Sequence, residues 1–270
     1  MTSATLRLRS FLDVSPSVAV VDVQEALGST PREIGAWMLV SPDAIFGTIG
    51  GGQLEFMAIA RAREMMREAV GSDVLDVPLG PEIGQCCGGR VKIAIAVVDQ
   101  NLRATLPKRI DREEASQPHV YLFGAGHVGH ALAEAFALLP VSVTVVETRA
   151  EALDGMPDSV DTVLTPVPEE TVRGAPAGSG FIVLTHDHAL DFLIVAEALR
   201  RSDALYVGMI GSRTKMATFK SWYLREAAGN EADAARLVCP IGGAGLKDKR
   251  PAVIAALAAA EVLRALLPAG

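Results

Sequence analysis

The chain has 270 residues, half of them hydrophobic and 21% charged, with 25 Lys and Arg against 32 Asp and Glu for a formal charge of −7. This composition excludes an intrinsically disordered chain, and an acidic balance without any run of Lys or Arg argues against a nucleic-acid partner. The length suits two domains of about 100 to 150 residues each.

Val18 to Val23 reads as a β-rich run, followed by a turn through Gly28, Ser29, Thr30 and Pro31 and by strand-like runs at Ala36 to Val40 and Ala44 to Thr48. After Gly50, Gly51 and Gly52 the pattern changes: Leu54, Ala58, Ala62, Met65 and Ala69 recur at spacings of three and four, which predicts a helix over Gln53 to Ala69. Val91 to Val98 reads as a buried strand. The polar stretch 107–118, bounded by Pro107 and Pro118 and mixing both signs of charge, is the expected linker between an N-terminal mixed α/β domain (1–106) and a C-terminal domain (119–270). From His119 onward strands at Val120 to Phe123, Ser142 to Glu147, Phe181 to Thr185 and Ala204 to Ile210 alternate with helices near Val128 to Leu138, Ala189 to Arg200, Arg213 to Ala228 and Pro251 to Leu267. That alternation predicts a Rossmann-like, doubly wound parallel sheet. The last helix contains the most apolar stretch, yet Glu261 and Arg264 interrupt it and it falls short of the roughly 20 residues that span a bilayer. With no secretion signal near Met1 and an odd count of cysteines, Cys86, Cys87 and Cys239, the expectation is a cytoplasmic protein without a disulfide framework.

Gly124, Gly126 and Gly129 in the segment GAGHVG follow a strand and open a helix, the context of a dinucleotide fingerprint, and Glu147 ends the next strand 23 positions after Gly124, where a ribose-binding acid is expected. The glycines would permit a phosphate to approach backbone N–H groups at a helix N-terminus; they would equally let helix and strand pack closely with nothing bound. Gly50, Gly51 and Gly52 form a second candidate anion cradle, again with a tight turn as the bland alternative. Gln85, Cys86 and Cys87 lie in the glycine-flanked loop GQCCGG. Thiolates there suit a soft metal or sulfur transfer, and Arg90 and Lys92 would favour the thiolate, whereas two small buried residues would explain the pair without chemistry. No second cysteine pair has zinc spacing. His186, Asp187 and His188 end a strand on the ligand-binding side of the sheet, as ligand contacts or, by their spacing, as a metal site, whereas Asp187 and Asp191 would equally serve as caps of the next helix. Ser212 and Arg213, ahead of Lys215, are either anion ligands or a solvated helix start.

In order along the chain stand GSTPREIGAWMLV (Gly28 to Val40), GTIGGGQLE (Gly47 to Glu55), LGPEIGQCCGG (Leu79 to Gly89), HVYLFGAGHVG (His119 to Gly129), THDHALD (Thr185 to Asp191), YVGMIGSRTK (Tyr206 to Lys215), and CPIG with KRPAVIA (Cys239 to Gly242, Lys249 to Ala255). Together they resemble the XdhC/CoxI family of xanthine dehydrogenase accessory proteins over nearly the whole length. The resemblance implies a carrier rather than a catalyst. Such a protein binds molybdenum cofactor (molybdopterin), protects it while a cysteine desulfurase supplies the terminal sulfido ligand, and hands it to the apo-hydroxylase. It further implies Cys86 or Cys87 as the molybdenum or sulfur contact and one of the glycine loops as the holder of the pterin phosphate. The chain departs from the family pattern at Asp248, where a glycine is usual, which adds a negative charge before Lys249.

The competing expectation is an NAD(P)-dependent oxidoreductase using the Rossmann-like domain; it leaves the cysteine loop unexplained, and no proton-relay set for hydride transfer stands near the GAGHVG motif. The apolar composition leads to the expectation of a homodimer.

Overall fold

The structure is a computed structural model that describes residues 3–81, 88–243, 245 and 248–267. Its chain divides into two compact units, 1–112 and 113–270.

The N-terminal unit starts with α1 (Ser3–Val14), followed by β1 (Ala19–Leu27), β2 (Trp37–Val40), β3 (Ile45–Gly47), α2 (Gly52–Glu68), β4 (Ser72–Pro78), β5 (Arg90–Val97) and α3 (Gln100–Ala115). Its five strands form an antiparallel sheet in the order β3-β2-β1-β5-β4. Alternate residues of β1 point to opposite faces, as the two-residue period requires. Ala19, Val21 and Val23 join Leu54, Ala58, Ala62 and Met65 of α2 in one core. Val18 and Val20 meet Leu8 and Leu12 of α1 and Leu106 and Ile110 of α3 on the other side. Residues 107–115, assigned to a linker by their polarity, therefore continue a helix that buries a stripe of apolar side chains four positions apart.

In the C-terminal unit, β6 (His119–Phe123), β7 (Ser142–Glu147), β8 (Asp161–Leu164), β9 (Gly180–Val183), β10 (Tyr206–Met209) and β11 (Leu237–Val238) form a parallel sheet in the order β11-β10-β9-β6-β7-β8. Read from β8 this is 3-2-1-4-5-6, the order of a doubly wound dinucleotide-binding fold, so the mixed α/β and Rossmann-like expectations both hold. One face carries α4 (His127–Phe136) and α9 (Pro251–Leu266) over Val120, Leu122, Val143 and Ile182. The other carries α5 (Pro168–Gly174), α6 (His188–Arg200) and α7 (Arg213–Arg225), with the short α8 (Glu231–Ala234), over Phe123, Phe181, Val183 and Met209. β9 and β10 are buried along their whole length, which explains their continuous apolar sequence. Each such Val, Phe or Met contributes about 1.5–3 kcal/mol by leaving water. Because β6 and β9 are neighbours whose following helices, α4 and α6, lie on opposite faces, a crevice opens past their carboxyl ends. No helix among the described residues is long and apolar enough to cross a membrane.

Candidate functional site

In the N-terminal unit the three motif segments meet. Gly50 lies so close to Pro31 and Arg32 that a Cβ there would overlap the proline ring. Ser29 bridges Gly88, and Gly89 is pressed against the backbone of Leu27 and Ser29. Leu79 exchanges backbone hydrogen bonds with Gly88 and Gly89, at 3.0 and 2.8 Å, across the base of the cysteine loop. Gln85, Cys86 and Cys87 themselves lie outside the described residues.

Gly50, Gly51 and Gly52 all have positive φ, 118°, 75° and 68°, a run that only glycine adopts without strain. The turn they form already holds an anion. One oxygen of Glu55, in the first turn of α2, accepts from the Thr48 hydroxyl at 2.6 Å, the Ile49 N–H at 3.0 Å and the Gly51 N–H at 3.1 Å. The Thr48 hydroxyl oxygen in turn accepts from the Gly50 N–H at 3.0 Å. The expected cradle of Gly50, Gly51 and Gly52 thus has the chemistry of an anion site, but its Gly51 N–H is spent on a carboxylate of the same chain and its Gly50 N–H on the Thr48 hydroxyl.

In the C-terminal unit the crevice beside β6 and β9 is a cleft of about 260 Å³, bordered by Gly124, Gly126, His127, Arg149, Thr185 and His186 among others. A second lobe of about 510 Å³ shares Gly126, His127 and Arg149 and continues past His130 toward Glu134 and Glu151. The three motif glycines have different reasons to be glycine. Gly124 has φ 112° and its Cβ would lie 2.6 Å from the Leu184 carbonyl oxygen, and a Cβ on Gly129 would overlap the Gly124 carbonyl oxygen. Those two glycines are required by the packing of strand against helix. Gly126, the N-cap of α4, has ordinary extended backbone, and a Cβ there would meet nothing within 4 Å. Neither packing nor backbone conformation requires a glycine there.

Glu147 does not present itself as a free ribose acceptor. Its residue is 4% exposed. It accepts from the N–H groups of Ala125 (2.9 Å), Thr148 (2.8 Å) and Arg149 (3.2 Å), from the Thr148 hydroxyl (3.1 Å), and from Arg149 Nε and Nη2 (3.3 and 3.2 Å). Burial alone would raise its pKa; the hydrogen bonds from Arg149, Ala125 and Thr148 outweigh burial and bring it to about 2. In the structure Glu147 ties β7 to the glycine turn and holds Arg149.

His186 is exposed and borders the cleft. The metal reading of His186, Asp187 and His188 fails, because no group of three or more His, Cys, Asp or Glu among the described residues is arranged to hold a metal ion. Asp187 is the N-cap of α6, accepting from the N–H groups of Ala189 and Leu190. Asp191 does not cap. It is fully buried, accepts from the Thr185 N–H and hydroxyl, and forms an ion pair with Lys215, whose ammonium also donates to the Ile210 carbonyl at 3.0 Å. The pair binds the ends of β9 and β10 to α6 and α7 behind the cleft. Lys215 is therefore turned inward rather than toward an anion, while Ser212 caps α7 by accepting from the Lys215 N–H and Arg213 is exposed. Asp248 is paired with Arg250 at the start of α9, so the charge it adds is compensated locally. Cys239 is half-buried, and burial raises its pKa despite the nearby Lys215 charge.

The family profile described as the XdhC Rossmann domain matches residues 120–262, more than half of the chain, and the profile of the XdhC and CoxI family matches residues 14–77. The chain belongs to the XdhC and CoxI family. The likeness extends to the uncharacterized protein YqeB of Escherichia coli (strain K12), 28% identical over 267 residues that cover 91% of this chain and 43% of that protein. This member of the family thus spans less than half the length of that relative. Among solved structures it is similar to one from Bacillus halodurans described as a xanthine dehydrogenase, with a TM-score of 0.79 at 17% identity, covering 98% of this chain and 95% of the other. At that identity the likeness is one of fold.

Two features of the candidate sites escape sequence reasoning. Glu55 was visible only as an acid in a first helical turn, and nothing in its spacing announces that it folds back on the glycines. Arg149 stands two positions after Glu147, and a cation just beyond the acid that ends the second strand of a Rossmann unit is a signal that could have found it.

Proposed function

We propose that this chain is an accessory protein that binds molybdenum cofactor, holds it while a cysteine desulfurase supplies the terminal sulfido ligand, and delivers it to an apo-hydroxylase of the xanthine dehydrogenase type. The observation that carries this reading is the convergence of three family motifs in the N-terminal unit: the Gly47 to Gly52 turn and the flank of the Cys86-Cys87 loop at Gly88 and Gly89 both pack against Gly28 to Arg32. Membership of the XdhC and CoxI family supports it. The fit of the phosphate end of such a cofactor can be tested on the Gly47 to Gly52 turn, which binds a carboxylate oxygen through two backbone N–H groups and a hydroxyl. The same donors suit a phosphate oxygen. In this reading Cys86 or Cys87 makes the soft contact to molybdenum, or carries the sulfur. Bound cofactor would supply the redox chemistry only after transfer, so the carrier needs affinity and shielding rather than an acid–base pair.

The experiment is anaerobic incubation of the purified protein with free molybdenum cofactor, removal of unbound ligand, and quantification of molybdenum and organic phosphate. Stoichiometric molybdenum that is lost in the Cys86→Ala/Cys87→Ala double variant is the expected result. Undiminished retention in that variant would overturn the thiol assignment. The doubly wound sheet with a cleft at its switch point favours a second reading, an NAD(P)-dependent oxidoreductase. No retained molybdenum, together with saturable NAD(P)H oxidation, would establish that reading instead.

A further inference from the structure

In sites built on this sheet order, an acid at the end of the second strand accepts hydrogen bonds from the ribose diol of the nucleotide, whereas an arginine nearby accommodates a phosphate on that ribose. Here the acid and the arginine are both present, two residues apart, and the structure distinguishes them. The Glu147 side chain is 3% exposed and that of Arg149 42% exposed. Both Glu147 oxygens are engaged by donors of the chain, as described above, so a diol would have to displace them. Arg149 spends only its backbone N–H, Nε and Nη2 on Glu147; among the described residues its Nη1 has no hydrogen-bond partner. It borders both lobes of the cleft, next to the open space above Gly126.

From this geometry we infer that Arg149, not Glu147, is the group that meets the ribose of a bound nucleotide, and that the C-terminal unit selects nucleotides carrying an additional phosphate monoester on the 2′ hydroxyl of that ribose. The bidentate hold by Glu147 fixes the plane of the guanidinium, so little side-chain freedom is lost when an anion is bound. The pair is neutral as it stands, and the N-terminus of α4 adds the positive end of its dipole beside the phosphate. Glu134 and Glu151 also line the larger lobe, and Glu151 is close enough to act on the Arg149 charge. Their carboxylates disfavour a second phosphate in that lobe and offer acceptors to hydroxyl or amine groups, which leaves Arg149 as the cation that borders both lobes. This inference concerns the C-terminal unit alone and does not depend on what the N-terminal unit carries.

The test compares two probes that differ only in the ribose phosphate, 2′,5′-ADP and 5′-AMP, by isothermal titration calorimetry on the full chain. The wild-type protein is expected to bind 2′,5′-ADP at least about tenfold more tightly, the factor that charge-assisted hydrogen bonds to one phosphate supply. Arg149→Gln should bring the two affinities within about threefold, and Arg149→Lys should restore part of the preference through charge alone. Unchanged circular dichroism melting of both variants separates this from loss of fold. Equal affinities in the wild type, a ratio unaffected by Arg149→Gln, or no detectable binding of either probe would each overturn the inference. Molybdenum retention by the same preparations is a separate readout, so failure here and failure of the carrier reading are distinguishable.

Discussion

Glu147→Gln is the substitution whose effect can be worked out most fully from the structure. The amide keeps one acceptor but turns an NH2 group toward donors, so at least one of Ala125 N–H and the Arg149 guanidinium loses its partner, and the guanidinium loses its counter-charge. The difference between the ordinary value of 4.5 and a pKa of about 2, at about 1.4 kcal/mol per pH unit, corresponds to about 3 kcal/mol of stability at neutral pH. Because the folded-state pKa is depressed, this contribution is fully present above the unfolded value of 4.5 and is lost as pH falls toward 2. The chain has two tryptophans, Trp37 and Trp222. In a Trp37→Phe background, Trp222, packed at a tilt against Phe192 and Phe219, reports the C-terminal unit alone. Urea unfolding followed by its fluorescence should show the variant about 3 kcal/mol less stable at pH 7, with the gap reduced to less than half by about pH 3 as the carboxylate of the unfolded chain protonates while the folded one stays ionised. A gap of undiminished size at pH 3, or none at pH 7, would refute the argument that the charged form of Glu147 carries the stabilisation.

Two further substitutions test neighbouring parts of the cleft. Asp191→Ala leaves the largely buried Lys215 ammonium without its counter-charge and should cost about 3–5 kcal/mol in the same assay. Asp191→Leu combined with Lys215→Met, which removes both charges, should recover most of that loss; a double variant as unstable as the single one would show that packing, not charge, is at issue. Gly129→Ala, whose Cβ would collide with the Gly124 carbonyl, should lower the melting temperature of the C-terminal unit markedly, whereas Gly126→Ala, with open space around it, should leave it within about 1 kcal/mol of wild type. Equal effects at the two positions would contradict the division of the motif into packing and ligand-facing glycines.

The architecture was legible in the sequence wherever burial imposes a period. The stripe from Leu54 to Met65 and the continuous apolar runs of β9 and β10 identified their elements because each faces a core on a fixed repeat. What escaped lies at margins. β4 and β8 are edge strands with mostly exposed or half-exposed residues, and α3 buries little beyond Leu106 and Ile110 and contains Pro107, so polarity and a helix breaker disguised it. The same holds for the site. GAGHVG announced its strand–turn–helix context correctly, but the roles of Glu147 and Arg149 depend on which donors reach a carboxylate across the 22 positions from Ala125, and a one-dimensional spacing carries no such information. The fold needs Gly124 and Gly129 whether or not anything binds, so of the three motif glycines only Gly126 has no packing reason to be glycine.

The carboxylate lodged in the Gly47 to Gly52 turn changes what binding means at that place. An anion reaching those N–H groups enters by exchange, with Glu55 as the outgoing competitor, rather than by addition to vacant donors. Every bound anion then stands beside the group poised to replace it, so tight holding is traded for assisted release. For the proposed carrier such a loop would suit cargo in transit better than a resident cofactor, and Glu55→Ala, which removes the competitor, is expected to slow release of a bound anion.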